Sequence, residues 1–351
     1  MKYLKHFILT FMLFVVSYAQ SRVIVVEAGN AESLLQAIEQ ANQQNAAPGA
    51  KRIYVLVPSG YYDLGETVLT TISGYNISLV GQGVEQTVIR NAPPTEKEGI
   101  GTTATILNLG TGTYLQDLTL RNDLSYYETE AAGRAVCLQD KGTHTICKRV
   151  RMLSYQDTYY SWSEDAQHFM DDTEIHGTVD FICGASDVYF RHCTIVTEPR
   201  NLDGKGLDVI VAPRTSETPW GFVFDGCTIR CVESDFHYAR GWHTAPHCVW
   251  LNTTLLSPEK LQEPRFDPQG MRTVNSYFKE YNTMDSEGRN ITPASNVVTF
   301  VCKGEMNTIE TVMKPEEAAK YSPKTVFPSW RPDKLVRKLE KQSLELVGKY
   351  L

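Results

Sequence analysis

Six times between Leu115 and Leu255 the chain repeats a six-residue phrase: LQDLTL at 115, CKRVRM at 147, MDDTEI at 170, FRHCTI at 190, FDGCTI at 224 and WLNTTL at 250. Positions one, four and six are mostly apolar or small, and four and six alternate as in a strand. The intervals are 32, 23, 20, 34 and 26 residues. A constant phrase at irregular spacing implies constant coils joined by loops of varying length. That is the pattern of a right-handed parallel β-helix, in which no strand is stable alone and each coil buries its face on the next. A β-sandwich would instead show period-two hairpins with Asn-Gly-type turns, which are scarce here. Within this frame Arg134, Asp157 and Asp180 recur at intervals of 23 residues. Such a period is too long for a helix or a strand and suits one solenoid coil. Residues one coil apart stack about 4.8 Å apart, so the spacing predicts a ladder of all three side chains on one face. Two stacked carboxylates cannot both ionise freely, which separates them into an acid and a base.

The rest of the chain reads as the ends of this solenoid. Strands are expected at Val23–Glu27, Ile53–Pro58, Ile77–Gly83 and Thr87–Arg90. Leu34, Leu35, Ile38 and Ala41 keep helical spacing, so Ala31–Asn45 is expected to cap the open first coil. Val297–Cys302 reads as a last strand, and the loop-rich stretch 257–294 carries Pro258, Pro264, Pro268 and Gly270. Pro315–Tyr321 and Asp333–Lys349 read as helices. The second sets Leu335, Val336, Leu339, Leu344 and Val347 near one face, which should pack back on the barrel. The fold class is therefore all-β, a single parallel β-helix over residues 20–351 with an N-terminal capping helix and C-terminal helices.

Residues 1–19 have the form of a cleavable secretory leader: Lys2 and Lys5, an apolar run from Phe7 to Val16, and Ser17-Tyr18-Ala19 as the small-x-small site. The apolar run is shorter than the roughly 20 residues that a spanning helix needs. A secreted or periplasmic address follows. Removing the leader takes two lysines and no acids from a net charge of −7, leaving −9. That balance argues against nucleic acid and against an anionic membrane as partners, and mildly against a heavily deprotonated polyacid. Eight cysteines are present with no Cys-x-x-Cys, so a zinc site is not indicated. Several occupy apolar phrase positions, which favours stacked free thiols over bridges; Cys227 and Cys231 are the pair to examine.

The residues around the two acids are recognisable. The VIVVEAGN opening, ISLVGQG with TVIRN, GRAVCL at 133, YQDTYY at 155, GTVDFICG at 177 and ARGW at 239 together resemble the pectin methylesterase family, over about Val23 to Leu256. The resemblance implies a parallel β-helix esterase that hydrolyses methyl esters of uronic acids in pectin, without metal or cofactor, acting as a monomer. It implies Asp180 as nucleophile, Asp157 as general acid and base, Gln156 as oxyanion donor and Arg240 as the residue holding the nucleophile. Trp242 would line the sugar groove, and Arg134, Tyr160 and Phe181 are counted with it as substrate-binding residues. Three positions depart from the family pattern. Arg134 stands in place of a glutamine, Leu64 in place of a glutamate, and Cys183 in place of an aromatic. An arginine at 134 would donate strongly to an oxyanion, yet would lower the pKa of Asp157, or it would bind a second substrate carboxylate. These departures suggest a branched pectin such as rhamnogalacturonan rather than plain homogalacturonan.

Other readings stay open. Tyr155, Tyr159, Tyr160 and Trp162 suit either a sugar platform or core packing. His243 and His247 have metal-compatible spacing, but Pro246 spoils a helix there, so they read as loop residues. His168 and His176 read as wall or core. A lyase would need calcium carboxylates and a galacturonase clustered acids; a non-catalytic carbohydrate-binding β-helix is the rival outside enzymology.

Overall fold

The computed structural model describes residues 22–215, 220–242, 245–268, 276–302 and 304–351. The secretory leader, His243 and Gly270 lie outside the described residues. Two parallel sheets wind into a solenoid, one of seventeen strands and one of eight. The six phrases stack in strict register. Leu115 pairs with Cys147, Cys147 with Met170, Met170 with Phe190, Phe190 with Phe224, and Phe224 with Trp250. First positions therefore form a column inside the barrel, where the rings of Phe190 and Phe224 lie 4.3 Å apart and those of Phe224 and Trp250 3.9 Å apart, nearly coplanar in both cases.

The phrase also carries a corner that the hydrophobic pattern does not reveal. Its third residue has positive φ in every coil: Asp117 at 54°, Arg149 at 48°, Asp172 at 50°, His192 at 54°, Gly226 at 65° and Asn252 at 51°. A single left-handed residue turns the chain sharply between two strand segments, and Asn, Asp and Gly tolerate that region best. The large sheet is thus folded along a line of left-handed corners. Loop-length variation falls outside this corner, which is why the phrase stays constant while the intervals do not.

Both ends are closed. The helix Ala31–Gln44 begins at Asn30, whose side chain accepts from the Ser33 amide at 3.0 Å. It buries Leu34, Ala37, Ile38 and Ala41 in the main core, covering strand edges of the first coil. The helix Pro332–Tyr350 packs outside the barrel. Val336 and Leu339 meet Tyr114, Ile146, Phe169 and Tyr189, while Leu346 and Val347 meet Tyr54, Leu56 and Val80. Leu344 departs from the expected face and is half exposed. The helix expected at Pro315–Tyr321 is a single turn, Pro315–Ala318, followed by another, Pro323–Val326. Val297–Cys302 is not the last strand, because Glu305–Glu310 returns antiparallel to it. All eight cysteines are buried and unbridged, Cys227 and Cys231 included. Among the described residues no helix is long and apolar enough to cross a membrane.

Candidate active site

The site is built on the outer face of the eight-stranded sheet, whose strands Leu138–Asp140, Tyr159–Ser161, Val179–Gly184, Leu207–Pro213 and Asp235–Arg240 lie side by side. Tyr159 pairs with Ile182 and Tyr160 with Cys183, so the 23-residue interval matches this coil and sets Asp157 and Asp180 at equivalent positions. Both acids have left-handed backbones, at φ 60° and 51°, and the register slips between Val179 and Ile182. A bulge of this kind re-aims a side chain. Here it accompanies the exit of Asp180 toward the cleft, while Phe181 stays in the core.

The expected three-step ladder fails at its first step. Leu138 pairs with Tyr159, a coil of 21 residues, and Arg134 pairs with Gln156 rather than Asp157. The guanidinium instead turns to Glu98. Arg134 Nε lies 3.0 Å from Glu98 Oε1, and the Arg134 backbone N–H donates to the same oxygen at 2.8 Å. Glu98 was not visible as a site residue in the sequence. It stands 36 residues before Arg134, at the end of a short 3-10 turn, with no motif around it.

A cleft of about 180 Å³ is lined by Ile100, Ala132, Arg134, Gln156, Asp157, Asp180, Cys183, Ala212 and Trp242. Arg240 clamps Asp180 in a fork: Nε donates to Oδ1 at 2.9 Å and a terminal nitrogen to Oδ2 at 2.6 Å. Burial raises the Asp180 pKa above the ordinary carboxylate range, with Arg240 and Arg200 pulling against it. Asp157 is pushed well above that range, first by burial and then by Asp180. Arg134 pulls the Asp157 pKa down, while Glu98 opposes that pull. So the charge that seemed unhelpful beside a general acid carries its own counter-ion. Cys183 Sγ lies 3.8 Å from Asp157 Oδ1 and contributes to the apolar cover over it.

Three candidate residues lie elsewhere than expected. Phe181 has no exposed surface and belongs to the core inside the barrel. It cannot touch a sugar, because alternation along the strand turns it inward. Tyr160 is 1% exposed, covered by Trp162 and Trp242 at 5.8 and 6.1 Å between rings, so it supports the cleft floor and offers no face. Leu64 is buried in the main core, so its replacement of a glutamate does not reach the cleft. Of the open aromatics, Tyr159 is core and Tyr155 stacks on Tyr126 at 4.6 Å. His168 is wholly buried 3.1 Å from Asp140, and His176 bridges Glu174 and Glu198 at 2.6 Å each. Burial drives His247 down to about 3, and its ring packs on Tyr277.

The arrangement offers a clamped carboxylate, a second carboxyl held toward its neutral form, and an amide, Gln156, on the same cleft. Those are the parts of covalent acyl transfer with one acid-base partner. Comparison with known proteins agrees with this inventory. Residues 22–328 match the pectinesterase family. Probable pectinesterase 30 of Arabidopsis thaliana is 30% identical over 187 residues, 52% of this chain and 36% of that protein. Pectinesterase 3 of Solanum lycopersicum is 29% identical over 188 residues, 53% of this chain and 32% of that protein. The chain spans about a third of the length of the curated relatives it matches. In fold it is similar to pectin methylesterase PemA from Erwinia chrysanthemi, with a TM-score of 0.67, 22% identity, and 88% of this chain and 97% of that one covered. Similarity to the carrot pectin methylesterase is comparable, with a TM-score of 0.66, 19% identity, and 88% and 94% covered.

Proposed function

From the premise that this chain belongs to the pectinesterase family, we propose that it hydrolyses methyl esters of uronic acid residues in pectin, releasing methanol and a free carboxylate. The observation that carries this reading is the forked Arg240–Asp180 contact, set in one cleft with a buried Asp157. Asp180, as carboxylate, attacks the ester carbonyl carbon. Gln156 donates to the oxygen on which negative charge develops. The intermediate collapses by breaking the bond to methoxide, and Asp157 gives its proton to the departing methanol. Water then attacks the acyl-enzyme, Asp157 takes the water proton, and Asp180 is released as carboxylate. Burial suits both roles. It keeps Asp157 protonated at the start, and the Arg240 fork favours the ionised form of Asp180. Neither step calls on a metal or a cofactor.

We further infer a substrate of branched pectin, on narrower support: Arg134 and Cys183 both line the cleft where the family pattern has glutamine and an aromatic. A smaller Cys183 leaves room beside Asp157. The chain is read as one secreted or periplasmic domain following the leader 1–19, acting as a monomer. Methanol release from highly methylated homogalacturonan and from a branched rhamnogalacturonan fraction, each with wild type and Asp180→Asn, tests these readings together. Release from homogalacturonan by wild type alone supports the esterase and removes the branched preference. Wild-type release confined to the branched fraction supports both. Equal release by Asp180→Asn would sink the nucleophile assignment.

A further inference from the structure

Four consecutive strands of the eight-stranded sheet end in register: Asp140 pairs with Ser161, Ser161 with Gly184, and Gly184 with Pro213. The next residues, Lys141, Trp162, Ala185 and Arg214, therefore form a row across the coils at one edge of the cleft. Backbone bonds hold it, with Trp162 N–H donating to Asp140 O at 2.9 Å, Ala185 to Ser161 O at 3.0 Å and Arg214 to Gly184 O at 2.6 Å. Trp242 follows, donating to Pro213 O at 3.1 Å. The rung between Trp162 and Arg214 carries almost no side chain. Gly184 has φ 114°, and a Cβ there would sit 1.7 Å from Ser161 O. Through that gap Arg214 reaches the Trp162 ring, its guanidinium carbon 4.9 Å from the ring centroid and 5.7 Å from that of Trp242. Lys141 Nζ lies 5.2 Å from the Trp162 ring. Trp162 itself is 44% exposed.

We propose that Trp162, flanked by Lys141 and Arg214, is a subsite for a uronic acid residue whose carboxylate is free, in a partly de-esterified pectic chain. A pyranose presents a face of C–H bonds that stacks on indole, and its carboxylate projects from the ring edge, where an ammonium and a guanidinium stand on either side. A guanidinium stacked on an aromatic face keeps its N–H edge available to a carboxylate. A methyl ester presents no charge to either cation, so the pair discriminates the acid from the ester. The rest of the chain is acidic, with net charge −7, and would repel a polyanion. A local cation pair on an exposed ring is the feature that overcomes this. The subsite rests on the esterase reading for its substrate class, and it implies that product residues from earlier turnovers help to hold the chain for the next one.

The probe is an unesterified galacturonate hexamer, titrated calorimetrically into wild type, Lys141→Met, Trp162→Ala and Trp162→Phe, with thermal melting as the folding control. Lys141→Met and Trp162→Ala are each expected to weaken binding about tenfold, and Trp162→Phe to recover most of that loss. Raising salt should weaken wild type more than Lys141→Met. Unchanged affinity in both Lys141→Met and Trp162→Ala, with unchanged melting, overturns the subsite. Methanol release is measured alongside on pectin of high and low esterification. Turnover with no binding change removes the subsite and leaves the esterase. Binding that depends on Trp162 without any methanol release removes the esterase reading and leaves the subsite.

Discussion

Two buried aspartates, one on each sheet, answer the same burial in opposite ways. Asp171 on the large sheet is 2% exposed and Asp157 in the cleft is 4% exposed. Asp171 receives Lys148 at 2.9 Å and Arg191 at 2.7 Å. Burial pushes it up, yet these cations bring its pKa below the ordinary carboxylate range. Asp157 has a second carboxyl, Asp180, as neighbour, and its nearest cation, Arg134, is already held by Glu98. Its pKa goes up. The difference teaches that burial alone does not assign a protonation state; the balance of cations and anions around the group does. One aspartate stabilises the wall, and the other is kept available as an acid.

The comparison breaks most visibly in turnover. Asp180→Asn should lower methanol release by at least about 10³-fold, since a nucleophile acts only as part of its unit. Asp171→Asn should leave release within about twofold while lowering stability by about 3 kcal/mol at pH 7, the loss typical of a broken buried ion pair. Urea unfolding and methanol assay on both proteins check the pair. The Asp171 contribution is present above the unfolded carboxylate pKa of about 4 and is lost as pH falls through the lower folded value.

Asp157→Asn should reduce turnover by about 10²- to 10⁴-fold, the usual range for a general acid and base. Its stability effect has the opposite sign to that of Asp171→Asn. A raised folded pKa means that the native state is penalised as pH climbs above about 4, so the asparagine variant should gain on wild type between pH 4 and pH 7. A variant that loses stability across that window would refute the electrostatic account of Asp157.

The Glu98–Arg134 pair sharpens the contrast on a smaller scale. The charged and titratable groups facing Asp157 are Asp180, Arg134, Glu98, Cys183, Tyr160 and Arg240. Removing the Glu98 charge in Glu98→Gln leaves Arg134 unopposed and lowers the Asp157 pKa. The alkaline limb of kcat/KM should move down by about half a unit to one unit. Arg134→Gln should move it up. An unmoved limb in both variants would mean that Asp157 does not sense this pair. Smallest is the corner. Asn252→Ala loses both left-handed tolerance and a 2.8 Å bond to Asp225, and should lower stability by about 1 kcal/mol with turnover unchanged.

Much of this was legible in the chain itself. The six phrases named the coils, since a repeated apolar position has only one way to stay buried on every turn. The QDT and VDF motifs named Asp157 and Asp180, and ARGW named Arg240 and Trp242. The left-handed corner was also present in the third phrase residue, as Asp, Arg, Asp, His, Gly and Asn, but those types read as solvated until φ is known. Coil length by itself misled. A 23-residue interval describes the step from Asp157 to Asp180, and the preceding coil is shorter by two, which moved Arg134 off the ladder and toward Glu98. Phe181 and Tyr160 were right as motif residues and wrong as surfaces, because a bulge and two covering tryptophans decide which side chain meets solvent. The local phrase settles backbone register, which repeats with every coil. Charge balance at Asp157 depends on a partner 59 residues away in sequence, Glu98, and on the loop that carries it. Only closure of the solenoid brings those together.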